Sequence, residues 1–573
     1  MKHSLFCAVA FAASGLLASC DSAQRAPTTD VARVEPTPGA SEARSGFANS
    51  VHTQRQPTFI QTVGEDPEPP ARELFKLASA EMDSAPMLVR RALPDGGEEQ
   101  MELFSYVQDQ ARTLAEDAYK PTPAPANFIK KLSYDDYRMI DFLPEAALFK
   151  DVQQPYRVMM DTRGSLFHTP IKLNVVGEEG ARPVPYDPGQ FDFEPLELTG
   201  EEKAALGFAG FRLLAPFNKA GKYDEVLSVK GASFFRALGT DNHYGASARG
   251  VSIRTASPDG EEFPEFREFW LQQPNMGDES FVFHALLDGP SVTGAYQFRV
   301  QPGVQTRMDV KAVLYARKET SQVGLAPLTS MFEFAPHDPD QSATDFRPRV
   351  HDSEGLSAVL ANGEWIWRPL SNPKTLQIST FATQKPQGFG LVQRTRGFDN
   401  YEDLEASYET RPSVWVTPGE GWREGRMVLV EIPTPNEYHD NIISYWQLAE
   451  PLKKGEALEF SYQLDWGMET PARAPLAEVH STRTGLSEAN GKRLFIVDFD
   501  IDDVETAENV EAEVTSSSGA VQVRSLKFDL DHGRLRLTFE LDQSGVSETE
   551  LRAVLLRGEQ PASETWLYRW SAS

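Results

Sequence analysis

Beyond Phe128 the chain breaks into short apolar or alternating runs, among them Val251 to Arg254, Met308 to Tyr315, Met427 to Ile432 and Leu535 to Leu541, separated by Gly, Pro, Asn and Asp turns. A period of two puts alternate side chains on opposite faces, so such runs fold as strands with one buried side. Strands at this density imply sandwiches. In a chain of 573 residues one core is not expected to serve. The fold expected is mainly β, with a large β-sandwich domain over 126–470 and a small one over 480–573. The seam falls in Thr470 to Asn490, where Pro471, Pro475 and a Ser/Thr/Gly-rich stretch precede the strand Arg493 to Phe499. The last segment suits an immunoglobulin-like domain by size and strand spacing, without the cysteine pair of antibody domains.

The N-terminus points to export. Lys2 gives a positive start, Leu5 to Leu17 is apolar and small, and Leu17-Ala18-Ser19-Cys20 closes the run as a bacterial lipoprotein signal does. The run is short for a membrane span, so residues 1–19 read as a signal peptide; an ordinary secretory leader cut elsewhere is the alternative. Cys7 leaves with the signal, so Cys20 is the one cysteine of the mature chain. No disulfide framework is then possible, and lipidation is the natural use of a thiol at that place. Asp21 resembles the inner-membrane retention signal of enteric lipoproteins, which favours the inner membrane as the site of anchoring. Residues 20–70 are Ala, Pro, Thr, Ser, Gln and charge with no period, a disordered tether. Residues 71–125 form a short helical or irregular lead-in, with helical patterns at Glu73 to Leu77 and Val107 to Leu114 before Pro121, Pro123 and Pro125.

Charge and motif content narrow the chemistry. The net charge of −28 becomes one unit more negative when Lys2 leaves, so the surface repels nucleic acid and anionic headgroups and suits a neutral partner. There is no HExxH, CxxC, GxxxxGK[ST] or strand-borne GxGxxG, so no metal or cofactor is expected. Without a Gly-x-Ser-x-Gly elbow or a free mature thiol, paired carboxylates remain as the available chemistry.

The clearest candidate carboxylate is Asp440, in the run Leu429 to Trp446, LVEIPTPNEYHDNIISYW, beside Tyr438, His439, Tyr445 and Trp446. An acid among aromatic faces can have a raised pKa and protonate a glycosidic oxygen, while the rings cover the apolar faces of a pyranose. Taken alone, an Asp-Asn pair after a strand is more often a turn whose side chain bonds its own backbone.

The stretch from Phe208 to Pro274, which includes FAGFRLLAPFNK and ALGTDNHYGASARGVSIR, resembles the osmoregulated periplasmic glucan biosynthesis proteins of the G/D type. In the order of that family follow PLTSMFEF from Pro327, RPRVHDSEGL from Arg347, NGEWIWRPLSNP from Asn362, GFGLVQR from Gly388, DLEASYETRPSVWVTP from Asp403 and the segment around Asp440. RLFIVDF and ETWLYRW fit its small C-terminal domain. Residues 1 to about 100 are not covered.

The resemblance implies a large β-sandwich domain with a cleft joined to an immunoglobulin-like domain, in the periplasm. It implies action on β-1,2-glucan, by an anomer-inverting endo-β-1,2-glucanase or a related transglycosylase. On it, Asp440 matches the general acid and Asp352, in VHDSEG, the general base. Inverting carboxyls stand about 6.5–9.5 Å apart, or farther when a proton relay intervenes. Tyr408 and Arg411, in ASYETRP, match residues near the reaction centre, suited to relaying a proton or orienting a carboxylate; a salt bridge holding the next strand is the plain alternative for Arg411. His439 either shuttles a proton or lies at the rim. Trp365, Trp367 and Arg368 lie in EWIWRP, and alternation puts both tryptophans on one face, as a sugar platform or as core. Tyr438, Trp446, Tyr244 and Arg249 complete the substrate-binding candidates, and Trp270 is either a glycan contact or packing. Tyr438 and His439 before the acid, and Thr395 and Gly397 in QRTRGF, depart from the family pattern around the cleft. The alternative function is a non-catalytic glucan-binding scaffold for glucan synthesis, with a glucan synthase or a second copy of the chain as protein partner.

Overall fold

The computed structural model describes residues 88–92, 98–150, 155–338, 345–383, 385–501, 509–529 and 531–572. The signal peptide, Cys20, the tether and the pattern at Glu73 to Leu77 lie outside them. The chain is mainly β, as its alternation requires. Among the described residues the two largest sheets have ten and fifteen strands.

These two sheets share one core. Phe211 and Phe235 project from the ten-stranded sheet, and Phe269, Phe283 and Phe298 from the fifteen-stranded one. The rings meet edge to face, with centroids 5.2 Å apart for Phe211 and Phe269, 5.4 Å for Phe211 and Phe283, and 5.2 Å for Phe235 and Phe298. That geometry sets the positive ring edge against the negative face of its neighbour. The outer face of the larger sheet is apolar at Trp270, Leu286, Ala295 and Val313, and a helix, Leu103–Glu116, covers it with Leu103, Phe104, Val107 and Ala111. Arg317 holds the C-terminal end of that helix, donating from Nη2 to the Leu114 carbonyl at 2.6 Å and from Nε to that of Asp117 at 2.9 Å. A cation there complements the helix dipole. The helical pattern at Val107 to Leu114 is thus met, whereas the paired strands Leu88–Ala92 and Glu98–Glu102 replace the helical or irregular chain expected before it.

The C-terminal strands do not stand apart. The fifteen-stranded sheet continues into them through the parallel pairs Ile366↔Thr565 and Trp367↔Trp566. A four-stranded sheet of Val479–Leu486, Arg493–Asp500, Arg534–Asp542 and Ala520–Asp529 closes a second core there. That core takes Trp365, Trp367 and Trp415 from the larger region together with Phe495, Phe539 and Trp566.

Candidate active site

Asp440 and Asp352 lie in turns that two neighbouring strand systems bring together. Asp440 sits between the antiparallel strands Gly425–Glu431 and Ile442–Leu448. The next residue, Asn441, pins that turn: its Nδ2 donates to the carbonyls of Phe332 at 2.9 Å and Ile432 at 3.0 Å, while its Oδ1 accepts from the Phe332 amide at 2.8 Å. Phe332 is paired in turn with His351, the residue before Asp352, and their rings stack at 5.4 Å and 9°. Asp352 itself donates its amide to the Met331 carbonyl at 2.9 Å. The segment 330–332 therefore fixes both loops.

The two carboxyls differ in their surroundings. Asp352 is buried and accepts a hydrogen bond from Nη1 of Arg411. Burial raises its pKa above the ordinary carboxylate value, against the opposing pull of Arg411 and Arg236. Asp440 keeps part of its surface accessible, yet the surrounding protein and the charge of Asp352 push its pKa up to about 7. Arg236, Arg249 and Arg411 moderate that rise. No side chain among the described residues hydrogen-bonds the Asp440 carboxyl. A carboxyl protonated near neutrality beside one held by a guanidinium is the asymmetry that an acid and base pair requires.

Arg411 and Tyr408 share a 3-10 turn, Tyr408–Thr410, and its exit. The Arg411 guanidinium lies over the Tyr408 ring at 4.2 Å and also donates to the Ala406 carbonyl from Nε at 3.2 Å and Nη2 at 3.1 Å. A guanidinium does not release its proton, so Arg411 orients Asp352 and does not relay. The Tyr408 hydroxyl donates to Glu437. Glu437 accepts also from Arg347 at 2.8 Å, and the same nitrogen reaches Asp403 at 2.7 Å. Glu333 belongs to this group too: burial and the Glu437 charge raise its pKa to about 7. Glu333, Glu437, Arg347 and Arg236 were not picked out from the sequence, although all four lie inside the stretches that carry the resemblance.

Several expected sugar contacts are corrected. Trp365 and Trp367 do share a strand face, but that face is roofed by the C-terminal strands; Trp365 stacks on Trp415 at 6.3 Å and Arg394 covers Trp367 at 3.7 Å. Arg368 is 1% exposed and bonded to Glu431 at 3.2 Å. Trp446 is fully buried, with its N–H on the Arg423 carbonyl at 3.1 Å, and Trp270 packs under the N-terminal helix. Such large aromatic rings stabilise most where they are removed from water, which is why they went to core.

Other candidates lie closer to the carboxyl pair. Arg249 bonds Thr329 at 3.0 Å and Glu261 at 2.8 Å while lying close enough to act on Asp440. Tyr244 donates to Glu225 at 2.8 Å and carries Arg236 over its ring at 4.3 Å. Tyr438 is 59% exposed, the most exposed of the candidate rings. His439 is half-buried, its Nδ1 2.9 Å from Oδ1 of Asn436, and that bond directs it back into its own turn.

Comparison with known proteins identifies the family. The profile of a family described as "Periplasmic glucan biosynthesis protein, MdoG" matches residues 103–570. The chain is similar to proteins named "Glucans biosynthesis protein G". It is 44% identical to one from Vibrio cholerae serotype O1 over 465 residues, covering 80% of this chain and 85% of that protein. It is 43% identical to one from Shewanella sp. strain MR-7 over 469 residues, with the same coverage.

Proposed function

The chain belongs to the periplasmic glucan biosynthesis family MdoG, and from that premise we propose that its larger region cleaves or transfers β-1,2-glucan with inversion, Asp440 acting as general acid and Asp352 as general base. The observation that carries this reading is the contrast between the two carboxyls: Asp440 is raised to about 7 and accepts no side-chain hydrogen bond among the described residues, while Asp352 is held by Arg411. At neutral pH Asp440 holds a proton that it can give to the departing glycosidic oxygen. Asp352, ionised, takes the proton of the attacking water or sugar hydroxyl from the opposite face of the ring, directly or through intervening hydroxyls.

The other groups support these two roles. Arg411 keeps Asp352 ionised and aimed. Tyr408 donates its hydroxyl to Glu437, whose charge acts on Asp352, an arrangement suited to passing a proton onward. Tyr438 offers the apolar face against which a glucose ring can lie. We place the mature protein in the periplasm on a diacylglyceryl anchor at Cys20; Cys20→Ser should release it from the membrane fraction.

The test is turnover. Anchor-free protein is incubated with linear β-1,2-glucan beside Asp440→Asn. New reducing ends that depend on Asp440 mark a hydrolase, and cyclic or rearranged products without new ends mark a transferase. Proton NMR of the first product reads its anomeric configuration. Unchanged chain length with intact binding overturns the enzymatic reading in favour of a glucan-binding scaffold.

A further inference from the structure

The end of the strand Gly388–Val392 runs into Gln393, a residue 1% exposed at the head of QRTRGF. Its side-chain amide makes three bonds at once. Nε2 donates to the carbonyl of His351 at 3.2 Å and to that of Tyr408 at 3.1 Å. Oε1 stands 2.9 Å from Nδ1 of His351. Because the nitrogen is committed to two carbonyls, the oxygen must accept, which puts the hydrogen of His351 on Nδ1. That tautomer suits the site: His351 lies between the stacked ring of Phe332 and the edge of Tyr401, where burial drops its pKa to about 3 and keeps it neutral.

One amide thus joins two short pieces of chain that hold the opposite ends of one ion pair. His351 precedes Asp352, and Tyr408 begins the turn whose exit residue is Arg411. Gln393 also donates its backbone N–H to Oγ of Ser413, just beyond Arg411, at 3.1 Å. The seat of the amide is itself held on both sides. Thr395 donates to Glu354 from its amide at 2.8 Å and its hydroxyl at 3.0 Å. Arg394 donates to Glu564 and, at 2.9 Å, to the Val479 carbonyl.

We propose that Gln393 is the positioning residue that sets where Asp352 meets Arg411, by tying the backbone ahead of the base to the turn that carries the guanidinium. It touches no substrate. It acts by fixing the separation of two loops that carry the two ends of one ion pair, and an error of about 1 Å in such a placement costs on the order of a hundredfold in rate. The inference rests on the proposed role of Asp352, but the bonding pattern that carries it is independent of the reaction.

The test compares Gln393→Met, which keeps length and loses all three side-chain bonds, with His351→Leu, His351→Asn and the Gln393→Met/His351→Leu double variant. Asn places an N–H near the position of Nδ1. Three outcomes are expected. kcat falls on the order of a hundredfold in Gln393→Met with KM within about threefold. His351→Asn recovers most of the kcat that His351→Leu loses. The double variant is no worse than the poorer single one, as coupled partners require. Fully multiplicative losses, or a fall in kcat that follows loss of glucan binding, overturn the proposal. Carboxyl carbon NMR, with the Asp352 signal assigned by its absence in Asp352→Asn, supplies a readout that needs no turnover. The Asp352 titration is expected to move in Gln393→Met and in His351→Leu, and unchanged titration in both overturns the proposal. If the wild-type protein shows no turnover, the enzymatic reading fails alone, and this titration still decides the role of Gln393. If Gln393→Met does not fold, the two His351 variants decide it.

Discussion

Asn441 and Phe332 hold each other by two hydrogen bonds, amide to Oδ1 at 2.8 Å and Nδ2 to carbonyl at 2.9 Å, and that pair ties the turn of Asp440 to the residue stacked on His351. The two carboxyls are thereby referenced to one point of backbone, although 87 residues of chain separate Asp352 from Asp440 in the sequence. A site built this way depends on buried polar groups that must all be satisfied.

Asn441→Asp replaces a donor with a carboxylate that faces two carbonyls. The variant is expected to lose about 1–3 kcal/mol of stability at neutral pH. Activity should fall further than the folded fraction. Urea titrations beside initial rates measure the two separately; equal losses would show that Asn441 supports the fold alone.

Activity should follow a bell in pH. Asp352 must be ionised, so rate is lost as pH falls through its value, which burial has raised; Asp440 must be protonated, so rate is lost as pH rises through about 7. The sign for stability follows. A carboxyl raised in the folded state favours folding most while protonated, and that contribution fades as pH climbs from the unfolded value through about 7. Asp440→Asn is therefore expected to lower kcat by about 10²–10⁴-fold, and to gain Tm relative to wild type at pH 8.5 but not at pH 4. Melting curves at the two pH values check this.

Glu437→Gln removes the charge that helps to hold Glu333 up. The Glu333 carboxyl, raised to about 7 in the wild type, is expected to titrate lower in the variant. Carboxyl carbon NMR reads the shift directly, and an unmoved Glu333 would leave burial and the Asp345 charge as its causes.

Trp367→Ala and Tyr438→Ala should separate core from contact. The first empties part of the core shared with the C-terminal strands and is expected to cost about 3–5 kcal/mol. The second, at an exposed ring, should leave Tm nearly unchanged and raise KM for glucan several-fold. Calorimetry with binding measurements tells them apart. Weakened glucan binding by a well-folded Trp367→Ala would restore the platform reading.

How far the site could be read from the sequence depended on the kind of residue. Asp440 and Asp352 stood in turns within segments that resemble a known family, and a polar turn at a strand end keeps its place on any surface. The tryptophans of EWIWRP were ambiguous because period-two alternation fixes a shared face without saying what covers it. What covers them comes from far along the chain, from Arg394 and Trp415 and then from the strands that begin at Val479. Gln393, Arg347 and Glu437 look like ordinary strand-end polars in one dimension. Their importance comes from the partners they meet.

The amino-acid sequence by itself determined the mainly β architecture, because alternation and turn residues act locally, and it carried the family membership. It also fixed which acids were available. Only the tertiary structure decided their states. A pKa near 7 for Asp440 needs protein crowding and the Asp352 charge from a separate loop, while the bond from Arg411 to Asp352 needs two turns held in register by Gln393. Those are through-space effects in a medium of low dielectric, and they exist only once the chain has folded around them.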